Sequence, residues 1–236
     1  MIKELSRMGA YHAMVNGENQ DALCHGKNKD FCVITLADGV SDCKAAKAGA
    51  VIASRAITNL FLKKGSHFLE FEKDQIANFA ISHICFELER HAEETSCPVE
   101  DYSSTVASVL INKKKNKMLC FNVGDSVVLA VCNGKCKVIS MPADSSSGCC
   151  VTTTKGVEKK ASVSLCDLGP IESIVICSDG AWHEMYDKNR LKPEVARMLA
   201  VNEYDALSDY LNSRNCFDDY SFISLDLRPK NRRTSA

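Results

Sequence analysis

The sequence predicts an α+β fold, a sandwich of antiparallel sheets flanked by helices, and three observations carry that reading. Two apolar, β-branched runs of strand length, residues 31–37 and 171–177, stop just ahead of Asp38-Gly39 and Ser178-Asp179-Gly180. Four more strand-length segments follow one another between residues 105 and 140 with only turns between them. Stretches with helical spacing come in groups, two before those strands and two near the end, and not one per strand as a parallel βαβ sheet requires.

Taken in order, residues 31–37 read Phe-Cys-Val-Ile-Thr-Leu-Ala, a buried strand that delivers Asp38 at its end. Over residues 44–62, Ala45, Ala48, Val51, Ile52, Ile57 and Leu60 recur at three- and four-residue intervals, giving a helix that stops at Lys63-Lys64-Gly65. A second helix over 73–94 is marked by Ile76, Phe79, Ala80, Ile84 and Leu88. Strands at 105–111, 117–122, 127–132 and 135–140 form an antiparallel meander, with turns at the lysines 113–115 and at Asn133-Gly134. Residues 143–154 are rich in Ser, Thr, Asp and Gly and lack an apolar period, so they read as a mobile flap that includes Ser145-Ser146-Ser147. After the strand at 171–177, residues 193–201 and 204–211 read as helices, 220–227 as a closing strand and 228–236 as a frayed, basic tail.

With 236 residues, 45% of them hydrophobic and 25% charged, the chain can bury a full core, and residues 1–227 are expected to form one domain. A net charge of −1 gives no general attraction to nucleic acid or to an anionic membrane, so any phosphate recognition is local. No apolar stretch approaches the roughly 20 residues that span a bilayer, and Met1-Ile2-Lys3-Glu4 carries no apolar signal core, which points to the cytoplasm. The 13 cysteines are odd in number and mostly lie singly in apolar runs, as at Cys32, Cys85, Cys120 and Cys177, the pattern of reduced thiols packed as small hydrophobes. Cys132 and Cys136 around Asn133-Gly134, and the adjacent Cys149-Cys150, leave a zinc or redox role open.

Three acids share one context. Asp38 and Asp179 each end an apolar strand ahead of a glycine, and Asp218 stands just before the last strand. Carboxylates from distant segments repel one another unless a cation neutralises them, and an oxygen-only set without a histidine cluster suits a hard ion such as Mg2+ or Mn2+. The glycine after Asp38 lets backbone approach such an ion and offer its carbonyl. Taken singly, an Asp-Gly pair is equally the mark of an ordinary turn.

Five motifs occur in order: Asn19-Gln20-Asp21-Ala22, Ala37-Asp38-Gly39, Gly124-Asp125-Ser126, Cys177-Ser178-Asp179-Gly180 and Asp218-Asp219-Tyr220-Ser221. Through them the chain resembles the type 2C metal-dependent serine/threonine protein phosphatases over residues 10–227. The resemblance implies a four-layer α/β/β/α sandwich, two antiparallel sheets between helical layers, with two Mn2+ or Mg2+ ions in a cleft at one end. It implies that Asp38 bridges the ions, that the Gly39 carbonyl is a further ligand, that Asp179 and Asp218 hold the first ion, and that Asp21 completes the set directly or through water. Asp125 would support a third, weaker ion together with Asp179, or only hold a tight turn. Hydrolysis would then proceed by attack of a metal-activated water held through Asp38, Asp179 and Asp218, with no cysteine or serine nucleophile. The implied substrates are phosphorylated proteins, the products of a serine/threonine kinase, and the implied enzyme is a monomer.

The chain also departs from that family. Asn16 stands where many relatives carry a phosphate-binding arginine, a role left to Arg55 or a nearby lysine, and Val40 stands where animal and plant relatives have a histidine, as in a bacterial-type member. Gln20 replaces a glutamate, Val127 an arginine, and His183 an aspartate associated with the third ion, where it either ligates or caps a turn. Ser41 and Asp42 are expected to cap the helix that follows. These losses keep open a catalytically weak pseudophosphatase that serves as a binding or regulatory module.

Overall fold

Strands covered on both faces need apolar side chains at almost every position, whereas strands at a sheet edge need them at few. The computed structural model describes residues 1–140, 150–187 and 190–228. Its first half runs β1 (Ile2–Arg7), α1 (Ala10–Met14), β2 (Ala22–Lys27), β3 (Cys32–Ala37), α2 (Ala46–Phe68), α3 (Lys73–Thr95), β4 (Val106–Asn112) and β5 (Lys117–Val123). The second half continues with β6 (Val127–Cys132), β7 (Lys135–Ser140), β8 (Ser162–Asp167), β9 (Ile171–Cys177), α4 (Asp179–Met185), β10 (Tyr186–Asp187), β11 (Arg190–Leu191), α5 (Pro193–Ala200), α6 (Tyr204–Asn212) and β12 (Tyr220–Asp226). Two five-stranded antiparallel sheets result, ordered β1-β12-β9-β6-β7 and β2-β3-β4-β5-β8, while β10 and β11 pair apart from them.

Three apolar cores lie between four layers, as the expected sandwich requires. Helices α2 and α3 bury Ile57, Phe61, Ile84 and Leu88 against Val33, Leu110 and Phe121 of one sheet. The two sheets meet through Ile34, Leu36, Val109, Ile174, Ile176 and Ile223. Helices α4, α5 and α6 close the far face of the other sheet over Val127, Leu129, Val175 and Phe222. One strand shows the alternation: Val33 and Ala37 face the helices, and Ile34 and Leu36 face the second sheet. Thr35, on the helix side, is fully buried, and its hydroxyl lies 2.8 Å from both Thr58 Oγ1 on α2 and Ser108 Oγ on β4, so no polar group is stranded there.

The sequence underreads three of the four sheet edges; the fourth, β7, is legible because it closes a hairpin at Asn133-Gly134. β1, β2 and β8 pass unnoticed because they are edge strands with few buried residues, and α1 and α4, at five and seven residues, are too short to show a period. Helix α2 continues to Phe68 beyond the expected stop, because Gly65 leaves room for the Phe31 ring; a Cβ there would stand 3.0 Å from two ring carbons. Of the stretch expected to be a mobile flap, residues up to 149 and Ser145-Ser146-Ser147 with them lie outside the described residues. The remainder is pinned: the Thr152 N–H donates to the Ser104 carbonyl at 2.8 Å, and the Thr153 and Ser103 hydroxyls lie 2.5 Å apart. The expected frayed tail from 229 onward also lies outside the described residues. Among the described residues no helix is long and apolar enough to cross a membrane.

Cysteine placement follows the packing expectation in part, since Cys85 is only half-buried against the core. Cys32, Cys120, Cys132, Cys177 and Cys216 are free thiols buried in the cores, and burial pushes Cys120 and Cys177 up to about 12. Thiols held in that state neither ligate zinc nor attack readily.

Candidate active site

Strand register sets the site. Ala22 pairs with Ala37, Val106 with Val123, and Val127 and Phe222 both with Cys177, so several strand ends in each sheet lie level. The residues just beyond those ends are Asp21 before β2, Asp38 after β3, Asp125 between β5 and β6, Asp179 after β9 and Asp218 before β12. Asp179 is not the last residue of its strand: Ser178 intervenes, and Asp179 opens α4.

Asp38, Gly39, Asp125, Asp179 and Asp218 line one cavity of about 310 Å3. Its wall is completed by Val40, Ser41, Ser103 and Thr105 among others, and among the described residues no lysine or arginine stands on it. Asp21 is not on the lining but behind it, buried, with Oδ2 accepting from Ser178 Oγ at 3.0 Å. Crowded acids without a cation hold their protons. Asp38 is raised well above the ordinary carboxylate range, first by burial and then by Asp21, Asp179, Asp125 and Asp218. Asp179 is raised by burial and by Asp125 and Asp218, partly offset by the Gly180 N–H and by Asp38. Burial lifts Asp21 to about 7, against the pull of the Ser221 and Ser178 hydroxyls and with a push from Asp219 and Asp179.

The donor set fits a hard cation. All the side-chain donors are oxygens, and Asp21 Oδ1 and Asp125 Oδ1 are buried without a hydrogen-bond partner. The bridge between Gly39 and Ser104 uses the Asp38 carbonyl, which accepts from the Thr105 N–H at 2.7 Å, and the Val40 N–H, and so, among the described residues, leaves the Gly39 carbonyl over. Among the described residues no three Asp, Glu, His or Cys side chains already form a closed metal cage, so the acids stand as a ring that a cation would draw in.

A sixth acid was not given a role by the sequence. Asp219 is buried, and its Oδ1 accepts from the Gly9 N–H at 2.8 Å while Oδ2 accepts from the Gln20 N–H at 2.6 Å and lies 2.9 Å from His12 Nδ1. It ties the segments before α1 and β2 to the start of β12, and so fixes Asp21 and Asp218 relative to each other. The available signal was the acid doublet itself: two adjacent aspartates ahead of a buried strand cannot both face one cavity.

Other expected residues fall elsewhere. His183 is exposed on α4 and does not reach the lining. Asn16 is exposed with φ 51° and is likewise off the cavity, and Arg55 and Lys47 line a neighbouring one. Ser41 and Asp42 do not cap α2: that helix starts at Ala46 behind Ala45, with no side-chain cap, because residues 40–43 close a turn of their own through the Cys43 N–H to the Val40 carbonyl at 2.8 Å.

Comparison with known proteins agrees with this fold. A search of curated proteins finds no significant match. Among solved structures, a single-residue variant of a bacterial serine phosphatase superposes with a TM-score of 0.71 at 20% identity, over 97% of this chain and 98% of that one. The serine/threonine phosphatase Stp1 from Staphylococcus aureus gives 0.71 at 18% identity, over 97% and 95% of the two chains. The Mycobacterium tuberculosis serine/threonine phosphatase PstP/Ppp gives 0.66 at 16% identity, over 97% and 99%. These likenesses establish the shared fold. The family model described as Protein phosphatase 2C matches residues 8–213, most of the sequence and four of the five motifs. The chain belongs to the protein phosphatase 2C family.

Proposed function

We propose that the protein hydrolyses phosphoserine and phosphothreonine in phosphoproteins, with two divalent cations, Mn2+ or Mg2+, held by Asp38, Asp179, Asp218 and the Gly39 carbonyl. The observation that carries this reading is the convergence of acids from separate strand ends of both sheets on one cavity. Cations bound there would lower the pKa of water and offset the charge of a phosphoryl group. Asp38, raised well above the ordinary carboxylate range by burial and then by the surrounding acids, would be the ligand shared by the ions, with Asp21 supporting it from behind. Asp125, with its buried Oδ1 unpartnered, would serve a third, weaker site with Asp179. No side chain is needed as nucleophile: among the described residues Cys43 is the one cysteine on the wall, and its thiol is turned to the Glu100 carbonyl at 3.4 Å. The names of the solved relatives support serine/threonine phosphoproteins as substrates, and we place the enzyme in the cytoplasm as a monomer.

The absence of lysine and arginine from the described cavity wall favours one second reading, a pseudophosphatase that binds without turnover. Hydrolysis of p-nitrophenyl phosphate and of a phosphothreonine peptide separates the two. The expected result is Mn2+-stimulated turnover, reduced at least about a hundredfold by Asp38→Asn and by Asp179→Asn, together with an Mn2+-induced rise in the melting temperature that both variants lose. A wild-type melting temperature that responds to Mn2+ without turnover would establish the binding module instead.

A further inference from the structure

Beside the acid-lined cavity lies another of opposite character. It encloses about 390 Å3 between the edge strands β1 and β2 and the first turns of α2, and its lining includes Arg7, Lys47 and Arg55. These cations are not neutralised by the described part of the protein. Among the described residues, Arg7 donates only to the Ser6 carbonyl, Lys47 only to the Asp21 carbonyl at 2.7 Å, and Arg55 makes no ion pair. Surface cations without an ion pair among the described residues occur elsewhere too, at Lys63, Lys64 and Lys137 for example; what sets Arg7, Lys47 and Arg55 apart is that they line one concave wall. Two acids share that lining, Asp21 and Glu4, the latter with Oε1 3.4 Å from His25 Nε2, so the three cations remain in excess.

Unpaired cations on a concave wall concentrate anions, and guanidinium groups match the oxygens of a phosphate. Asp21 lines the basic cavity and stands behind the acidic one: its carbonyl is held by Lys47 on the basic side, and its carboxylate acts on Asp38 on the other. The linings of the two cavities have no residue in common, so an anion held by Arg7 and Arg55 is not the phosphate that meets Asp38 and Asp179.

We propose that the lateral cavity is an anion subsite, formed by Arg7, Lys47 and Arg55, that takes a second phosphate flanking the scissile residue, so that multiply phosphorylated segments are the preferred substrates. The subsite rests on the hydrolytic reading above for its role in turnover, but not for its binding of phosphate.

Two measurements test it, on wild type and on the double variant Arg7→Gln/Arg55→Gln, whose exchanged side chains are exposed and leave the cores untouched. In EDTA, fluorescence anisotropy with a labelled peptide is expected to show about tenfold tighter binding of the phosphothreonine form than of its unphosphorylated twin, an advantage the double variant loses. Equal binding of the two forms by wild type, or an advantage that survives in the variant, overturns the subsite. With Mn2+, the ratio of kcat/KM for a doubly over a singly phosphorylated peptide is expected to exceed about tenfold and to fall near unity in the variant. An equal loss on both peptides would place the cavity at the scissile phosphate and overturn its flanking role. Should wild type turn over no substrate with any divalent ion, the hydrolytic reading fails while the binding measurement still decides on the anion site.

Discussion

Asp38 faces Asp179 and Asp218 across one cavity with Asp21 behind it, and nothing in the described part of the protein neutralises the group. An acid in that position weakens the metal-free fold whenever it ionises. Exchange for asparagine removes the charge and keeps a donor to offer Asp179, so in EDTA at about pH 8 the Asp38→Asn protein is expected to be more stable than wild type by about 1–2 kcal/mol in urea unfolding. A less stable variant would show that the carboxylate is satisfied by the fold itself. Asp219 behaves in the opposite way. Its two oxygens serve the Gly9 and Gln20 N–H groups and His12, so Asp219→Ala strands buried donors and is expected to cost about 3 kcal/mol in the same measurement. The difference also explains what the sequence could convey about single residues. Asp38, Gly39, Asp125, Asp179 and Asp218 were legible because each borders a recognisable strand end; the supporting work of Asp219 and the recessed place of Asp21 depend on hydrogen bonds between segments far apart in the chain, such as that from the Gln20 N–H. Nor does composition reveal that Arg7, Lys47 and Arg55 meet on one cavity on the far side of Asp21.

Among the elements, legibility tracks burial. β3, β4, β6 and β9 are covered on both faces and stand out as unbroken apolar runs, whereas β1, β2 and β8 are edges whose alternation is diluted by polar residues. Helix α4 is the most consequential element the sequence left out, because it begins with a cavity aspartate and packs its first turn on the start of β12. Gly180 makes that approach possible: a Cβ there would stand 2.2 Å from the Asp219 carbonyl oxygen, which is backbone and cannot rotate aside. Gly180→Ala therefore has to move α4 away from β12, parting Asp179 from Asp218. The expected outcome is a loss of about 2–4 kcal/mol in stability and about tenfold in Mn2+ affinity by calorimetric titration. Wild-type affinity in a folded Gly180→Ala protein would show that the contact does not set the spacing of the two acids.

Over the whole molecule, the raised acids make the metal-free fold sensitive to pH in a defined direction. Asp21 stands at about 7 in the folded protein against an ordinary 3.8, and Asp38 and Asp179 are raised too. Below the ordinary value both folded and unfolded chains hold these protons, and the fold keeps its full stability. As the pH rises, the unfolded chain releases them first, so stability is lost progressively until the folded pKa is passed. The acids shifted the other way, Asp30 beside Lys114 and Asp226 beside Arg228, gain their contribution below about pH 4 and do not mask the trend. In EDTA the melting temperature should accordingly decline between about pH 5 and about pH 8. Divalent cations compete with the same protons, so the increment that Mn2+ adds to the melting temperature should be small near pH 5 and grow over that interval. Scanning fluorimetry across the range, with EDTA and with MnCl2, measures both curves at once. A metal increment that is flat with pH would mean that the ions bind somewhere other than this ring of proton-holding carboxylates, and the shared origin of acid crowding and metal binding would have to be given up.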